Sequence, residues 1–184
     1  MNNFFYYLLF SSAILFYGIG LGRIVTIHDN YKSLCLAFLR TLVIVELTSI
    51  VSGFFTRTVL NRFDLFEFFP FFTLLIFLFF TALVNYVIFK AVKDFSFDFS
   101  TTFLFSLLAV QESSSFTELS VISLACVLTF YLVQILLIAF KKRFEIFVPP
   151  EKIHAVSLIY INIAILIFSI FAWNVSWLNP RGLM

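Results

Sequence analysis

Six apolar segments follow one another along this chain, each separated from the next by a short polar break: Phe4 to Gly22, Ser33 to Phe55, Phe68 to Phe89, Phe97 to Val110, Glu118 to Phe140 and Ile153 to Trp173. A membrane-spanning helix takes about 20 apolar residues, so six of them would use roughly 120 positions. The chain has 184 residues, 62% apolar and 12% charged, where a soluble domain has about 45–50% and about 25%. These proportions exclude a water-soluble monomer and leave no room for a separate soluble domain. The expectation is an all-α integral membrane protein of six transmembrane helices, with residues 1–184 as one membrane domain.

The net charge of +2 gives neither a nucleic-acid footprint nor an acidic tail. The 29 phenylalanines against two methionines read as a compositional habit, with Phe serving as the general apolar residue. Cys35 and Cys126 lie in apolar stretches without metal-type spacing, which reads as two small buried hydrophobes. The first 22 residues hold no Lys or Arg, so the basic start of a cleavable signal peptide is missing. The first segment is therefore expected to be retained.

Glycines and prolines mark the segment ends. Gly18, Gly20 and Gly22 close the first segment and permit irregular backbone; with no preceding strand and no following Lys-Ser/Thr they make no phosphate loop. Pro70 falls in the first turn of the third segment, and Pro149-Pro150 separates the fifth from the sixth. Ser115 followed by Glu118 is a capping-box pattern. The first, third and fifth connections carry eight basic residues, Arg23, Lys32, Lys90, Lys93, Lys141, Lys142, Arg143 and Lys152, against Arg57, Arg62 and Arg181 on the other side. By the positive-inside rule both termini face away from the cytoplasm, as expected for a multi-pass protein of a bacterial inner membrane.

Six spans in this orientation divide into two sets of three that begin in opposite senses, the arrangement of an inverted-topology repeat. The first member of each set is unusual. Segment one has Ser11-Ser12 at its middle, and segment four is only 14 residues long with Ser100-Thr101-Thr102 near its start. Fourteen residues make about 21 Å of helix, against a hydrocarbon core of about 30 Å. Both segments read as broken or half-spanning helices whose free backbone groups line a polar site; the alternative is that their Ser and Thr bond back to their own helices.

Glu46 stands about midway along segment two, where an ionised carboxylate is costly in lipid. It reads either as a group for cation or proton passage or a subunit contact, or as a structural hydrogen-bonding residue. Arg40, six positions earlier, is on another helix face and is expected to snorkel to the interface. Asn85, Gln134 and Asn162 read as interhelical bonding groups, and His28 and His154 as loop and interface residues. With no nucleophile and base set, no metal-ligand set and no dinucleotide fingerprint, a self-contained catalytic enzyme is not expected.

From Leu136 to Phe171 the run LLIAFKKRFEIFVPPEKIHAVSLIYINIAILIFSIF resembles the RnfA/NqrE family of membrane subunits. In that family a penultimate helix ends in a basic patch, a Val-Pro loop follows and the last helix opens with Ala; Lys141-Lys142-Arg143, Val148-Pro149 and Ala155 correspond. More weakly, Gly20-Leu21-Gly22 is similar to the family's Gly-Leu-Cys, and Ser100-Thr101-Thr102 to its Thr-Thr-Asn-Cys. The resemblance implies a subunit of an ion-translocating electron-transport complex, paired with a homologous subunit of inverted orientation. It also implies a 2Fe–2S cluster shared between them. This sequence departs at the ligand positions, where Gly22 and Phe103 stand in place of cysteine and offer iron no donor.

The resulting expectation is a scaffold and ion-path subunit of such a complex, in a lipid bilayer with other membrane subunits. A small inverted-repeat transporter with Glu46, Ser11, Ser12, Ser100, Thr101 and Thr102 at its site is the alternative. An adaptor recruiting a soluble partner to Lys141–Arg143 is a third.

Overall fold

A computed structural model describes residues 31–89 and 99–147, with residues 157, 160–165 and 167–169 of the last segment. Segment one, with Ser11, Ser12 and Gly22, lies outside the described residues, as do His28 and the stretch from Val148 to Ala155. All described secondary structure is helical. The main helices are α1 (Tyr31–Phe55), α2 (Phe69–Phe89), α3 (Phe99–Glu112) and α4 (Phe116–Phe147). They correspond to segments two to five.

Among the described residues three stretches are long and apolar enough to cross a membrane: Leu34–Phe63, Phe66–Val87 and Phe116–Phe140. The fourth helix of the set, α3, keeps the 14-residue length expected of it. Segment five is longer than expected. It continues as helix through Lys141-Lys142-Arg143 to Phe147, so the basic cluster is the last turns of a helix and not a connection. Lys and Arg are good helix formers, and the first proline after them in the sequence comes only at position 149.

α1 is the central helix and packs against α2, α3 and α4. Its chain widens into a π-helical turn at Thr56–Leu60 and a 3-10 turn at Asn61–Phe63. Asp64 then takes the left-handed conformation, φ 53°, which Asp tolerates because its short side chain can bond locally. Pro70 is the second residue of α2, where its missing N–H is harmless. The turn into α4 uses the expected cap: Ser115 Oγ accepts from the Glu118 amide at 3.2 Å. The Glu118 carboxylate reaches back one residue further than in a standard capping box, accepting from the Ser114 amide at 3.1 Å. Ser115→Ala is expected to lower stability by about 1 kcal/mol, read as a shift of the unfolding midpoint in detergent.

Large apolar side chains cover the exposed face of α1, and hydroxyl residues are among its buried ones. Leu36, Leu39, Val43, Leu47, Ile50 and Phe54 follow a helical period along the exposed face of α1, while Thr41, Thr48, Ser49 and Ser52 are buried. Lipid explains this distribution: hydrocarbon solvates the large side chains, and small hydroxyl residues let helices approach closely. At Gly53 the Leu119 side chain fills the space of a Cβ, which would lie 2.3 Å from Leu119 Cδ1.

Two apolar clusters complete the interior. The larger joins Val45, Phe105, Ile122, Cys126 and Phe130, with Ile163 of the last segment packed into it. The smaller joins Ile44, Phe77 and Val84, with Phe103 against it.

Candidate functional site

Cross-helix contacts fix the register around Glu46. Along α1 and α4, Gly53 meets Leu119, Glu46 meets Ser123 and Thr41 meets Tyr131, so the two helices run antiparallel. Along α1 and α2, Ser52 meets Thr73 and Arg40 meets Asn85, again antiparallel. Arg57 donates to the Ser113 carbonyl and hydroxyl at 3.0 and 3.1 Å, just beyond the end of α3. At the start of α3, Phe99 and Phe103 lie with ring centroids 4.9 and 5.5 Å from Phe77, midway along α2. α3 therefore occupies about half the depth of the bundle, from the level of Phe77 and Ile44 to the Arg57 end.

Glu46 is half-buried on α1. Ser123 Oγ donates to Glu46 Oε1 at 2.7 Å and shares its hydrogen with the Ser120 carbonyl at 3.0 Å. The hydrogen-bond partner of Glu46 thus comes from α4 and is not Arg40.

Arg40 departs from the expectation that it snorkels. It is only 4% exposed, and its Nη2 donates to Asn85 Oδ1 on α2. The half-buried Asn85 amide oxygen offsets part of the cost of keeping the guanidinium inside. Next to it, Thr41 donates to the Ala37 carbonyl at 2.7 Å, which leaves Tyr131 to donate to Thr41 Oγ1 at 2.8 Å. Tyr131 is held edge-on between Phe38 and Phe130. The Arg40 end of the interior is thus tied by two interhelical hydrogen bonds.

Thr101 and Thr102 are buried, whereas Ser100 is exposed on the first turn of α3. The sequence triplet is therefore divided, two residues facing in and one out. Phe103 belongs to the smaller apolar cluster. An iron–sulfur cluster at this position does not fit the donors present, because an aromatic ring packed on Phe77 supplies neither thiolate nor imidazole. Cys126 is buried in the larger cluster as expected, but Cys35 is exposed on α1. It falls on the lipid-facing side of the helix, beside Leu36 and Leu39, which single-residue burial habits do not foresee. Among the described residues no three His, Cys, Asp or Glu side chains come together.

No family model, curated protein or solved structure matches this chain.

Sequence reasoning missed the hydroxyl stripe that runs along α1 into the π-helical turn. Thr41, Thr48, Ser49, Ser52 and Thr56 are all buried, and their spacing follows the helical period. The signal was available, but a long apolar run drew attention to its single charge instead. Ser123 and Tyr131 were not distinguishable from other residues of segment five. Only the register of α4 on α1 gives them their role.

Proposed function

We propose that the chain is a multi-pass membrane protein whose polar interior passes a proton or a small cation, with Glu46 as the central group. The observation that supports this reading is the Glu46–Ser123 contact, a carboxyl bonded between two long apolar helices within a buried hydroxyl stripe. A carboxyl held by hydroxyl donors can take up and release a proton or a hard cation, and an ionisable residue at this depth is expensive unless it is used.

In this reading the protein is the ion-path and scaffold subunit of a larger membrane redox assembly of the RnfA/NqrE kind, partnered by a homologous subunit of inverted orientation. It carries no cluster ligand at Phe103. Six spans in two inverted halves are proposed with it, both termini on the non-cytoplasmic side of a bacterial inner membrane. The half-depth helix α3 also suits a small transporter built on the same repeat and working alone.

The test is flux of protons and of sodium ions in proteoliposomes, using the protein with whatever membrane subunits copurify. Glu46→Gln is expected to remove flux while leaving assembly and helicity unchanged. Undiminished flux in that variant would make Glu46 a structural residue. Copurification with redox subunits favours the first setting, and flux by the isolated chain favours the second.

A further inference from the structure

One face of α4 changes character along its length. Leu132, Ile135, Leu136 and Ala139 are exposed, while Val133, Gln134, Leu137 and Ile138 between them are buried. Lys142 and Arg143 are exposed as well, and they continue the same steps of three and four residues from Ile135, Leu136 and Ala139. Residues spaced in this way lie one above another on a helix. An apolar exposed stripe thus ends in two cations on its own face. The helix runs on past them to Phe147, so the cations stand on an extension of the apolar helix and not on a free loop.

Their depth follows from length. The apolar stretch Phe116–Phe140 makes about 37 Å of helix, against a hydrocarbon core of about 30 Å. Lys142 and Arg143 therefore fall in the headgroup layer at its far end. The other end of the bundle has a different charge balance. There the exposed Arg62 is accompanied by the exposed Asp64 and Glu67, and Arg57 is engaged by Ser113 and the Phe116 ring. Between Lys141 and Phe147, three basic residues stand against a single acidic one, Glu145.

From this alignment we infer that the exposed face of α4 holds a phospholipid with a negatively charged headgroup. Its acyl chains run along Leu132, Ile135, Leu136 and Ala139, and its phosphate meets Lys142 and Arg143. The planar fork of arginine matches two phosphate oxygens at once, and lysine adds a point charge. A soluble acidic partner would use the two cations and leave the apolar stripe beneath them uncovered, whereas a lipid uses both. The inference rests on the membrane-spanning reading and is independent of whether Glu46 passes an ion.

Local fluorescence quenching in the full chain tests it. Leu136→Trp is made with Trp173→Phe and Trp177→Phe, and the protein is placed in phosphatidylcholine vesicles. Increasing amounts of phosphatidylglycerol brominated in its acyl chains, or of phosphatidylcholine brominated in the same way, are then included. Flotation with the vesicles after an alkaline wash reports insertion first, so a failure of the membrane-spanning reading is seen separately. Phosphatidylglycerol is expected to quench the introduced tryptophan at the lower mole fraction. Lys142→Gln and Arg143→Gln are each expected to lower its relative affinity about fivefold, while Lys142→Arg and Arg62→Gln leave it unchanged. Leu132→Trp, one turn away on the same stripe, gives the same result and guards against failure of one variant to fold. Equal quenching by the two lipids would overturn the lipid site and leave the cations to a soluble acidic partner. A preference that survives loss of both charges would overturn it as well.

Discussion

Phe77→Ala is expected to cost about 3–5 kcal/mol of stability, the range for removing a fully buried phenylalanine. Phe77 is 0% exposed, and its ring is the point where α1, α2 and α3 meet, touching Phe99 and Phe103 and sharing a cluster with Ile44. Its loss leaves a cavity that the surrounding helices close only in part. Because α3 is short, its first turns depend on this contact together with the burial of Thr101, Thr102 and Phe105. Hydrogen exchange is therefore expected to rise in residues 99–105 more than in α4, while Phe77→Leu retains most of the stability. A fall of less than about 1 kcal/mol in the unfolding free energy measured in detergent would show that α3 is anchored elsewhere.

The second large effect is at Arg40. Asn85→Leu removes the amide oxygen that accepts from its guanidinium and leaves a charged donor less well satisfied in the interior, at about 1.5–3 kcal/mol. Arg40→Met in the same chain removes the charge along with the need for its partner. The double variant is accordingly expected to be more stable than Asn85→Leu alone, since replacing both members of a buried polar pair by apolar groups is often neutral. Additive losses in the double-mutant cycle would mean that the two side chains are not coupled. On the proposed ion-path reading, flux is expected to survive the double variant, because Glu46 is hydrogen-bonded by Ser123 and not by Arg40.

The legible part of the fold was the part that depends on composition along the chain. The helical class, the shortness of α3, the place of Pro70 and the Ser115 cap follow from local chemistry, and each is present in the structure. The limits of segment five were less legible, because Lys and Arg mark a membrane boundary without ending a helix. Arg40 was misread for a related reason. Snorkelling is what a lone arginine does on an isolated helix, and the Asn85 oxygen that keeps it inside comes from a residue 45 positions away.

The sequence by itself determined that this chain folds as helices apolar enough to cross a membrane and that Glu46 would face protein or water or be protonated, because hydropathy and the cost of a charge in lipid depend on residue type alone. The tertiary structure decided what that carboxyl touches. Ser123 becomes its partner through the antiparallel register of α4 on α1, and Gly53 lets those helices approach at Leu119. The same register gives Thr41 and Ser52 partners on neighbouring helices and leaves Thr48 and Ser49 without one among the described residues. No local pattern carries that division, since whether a buried hydroxyl finds a partner depends on what the neighbouring helix places opposite it.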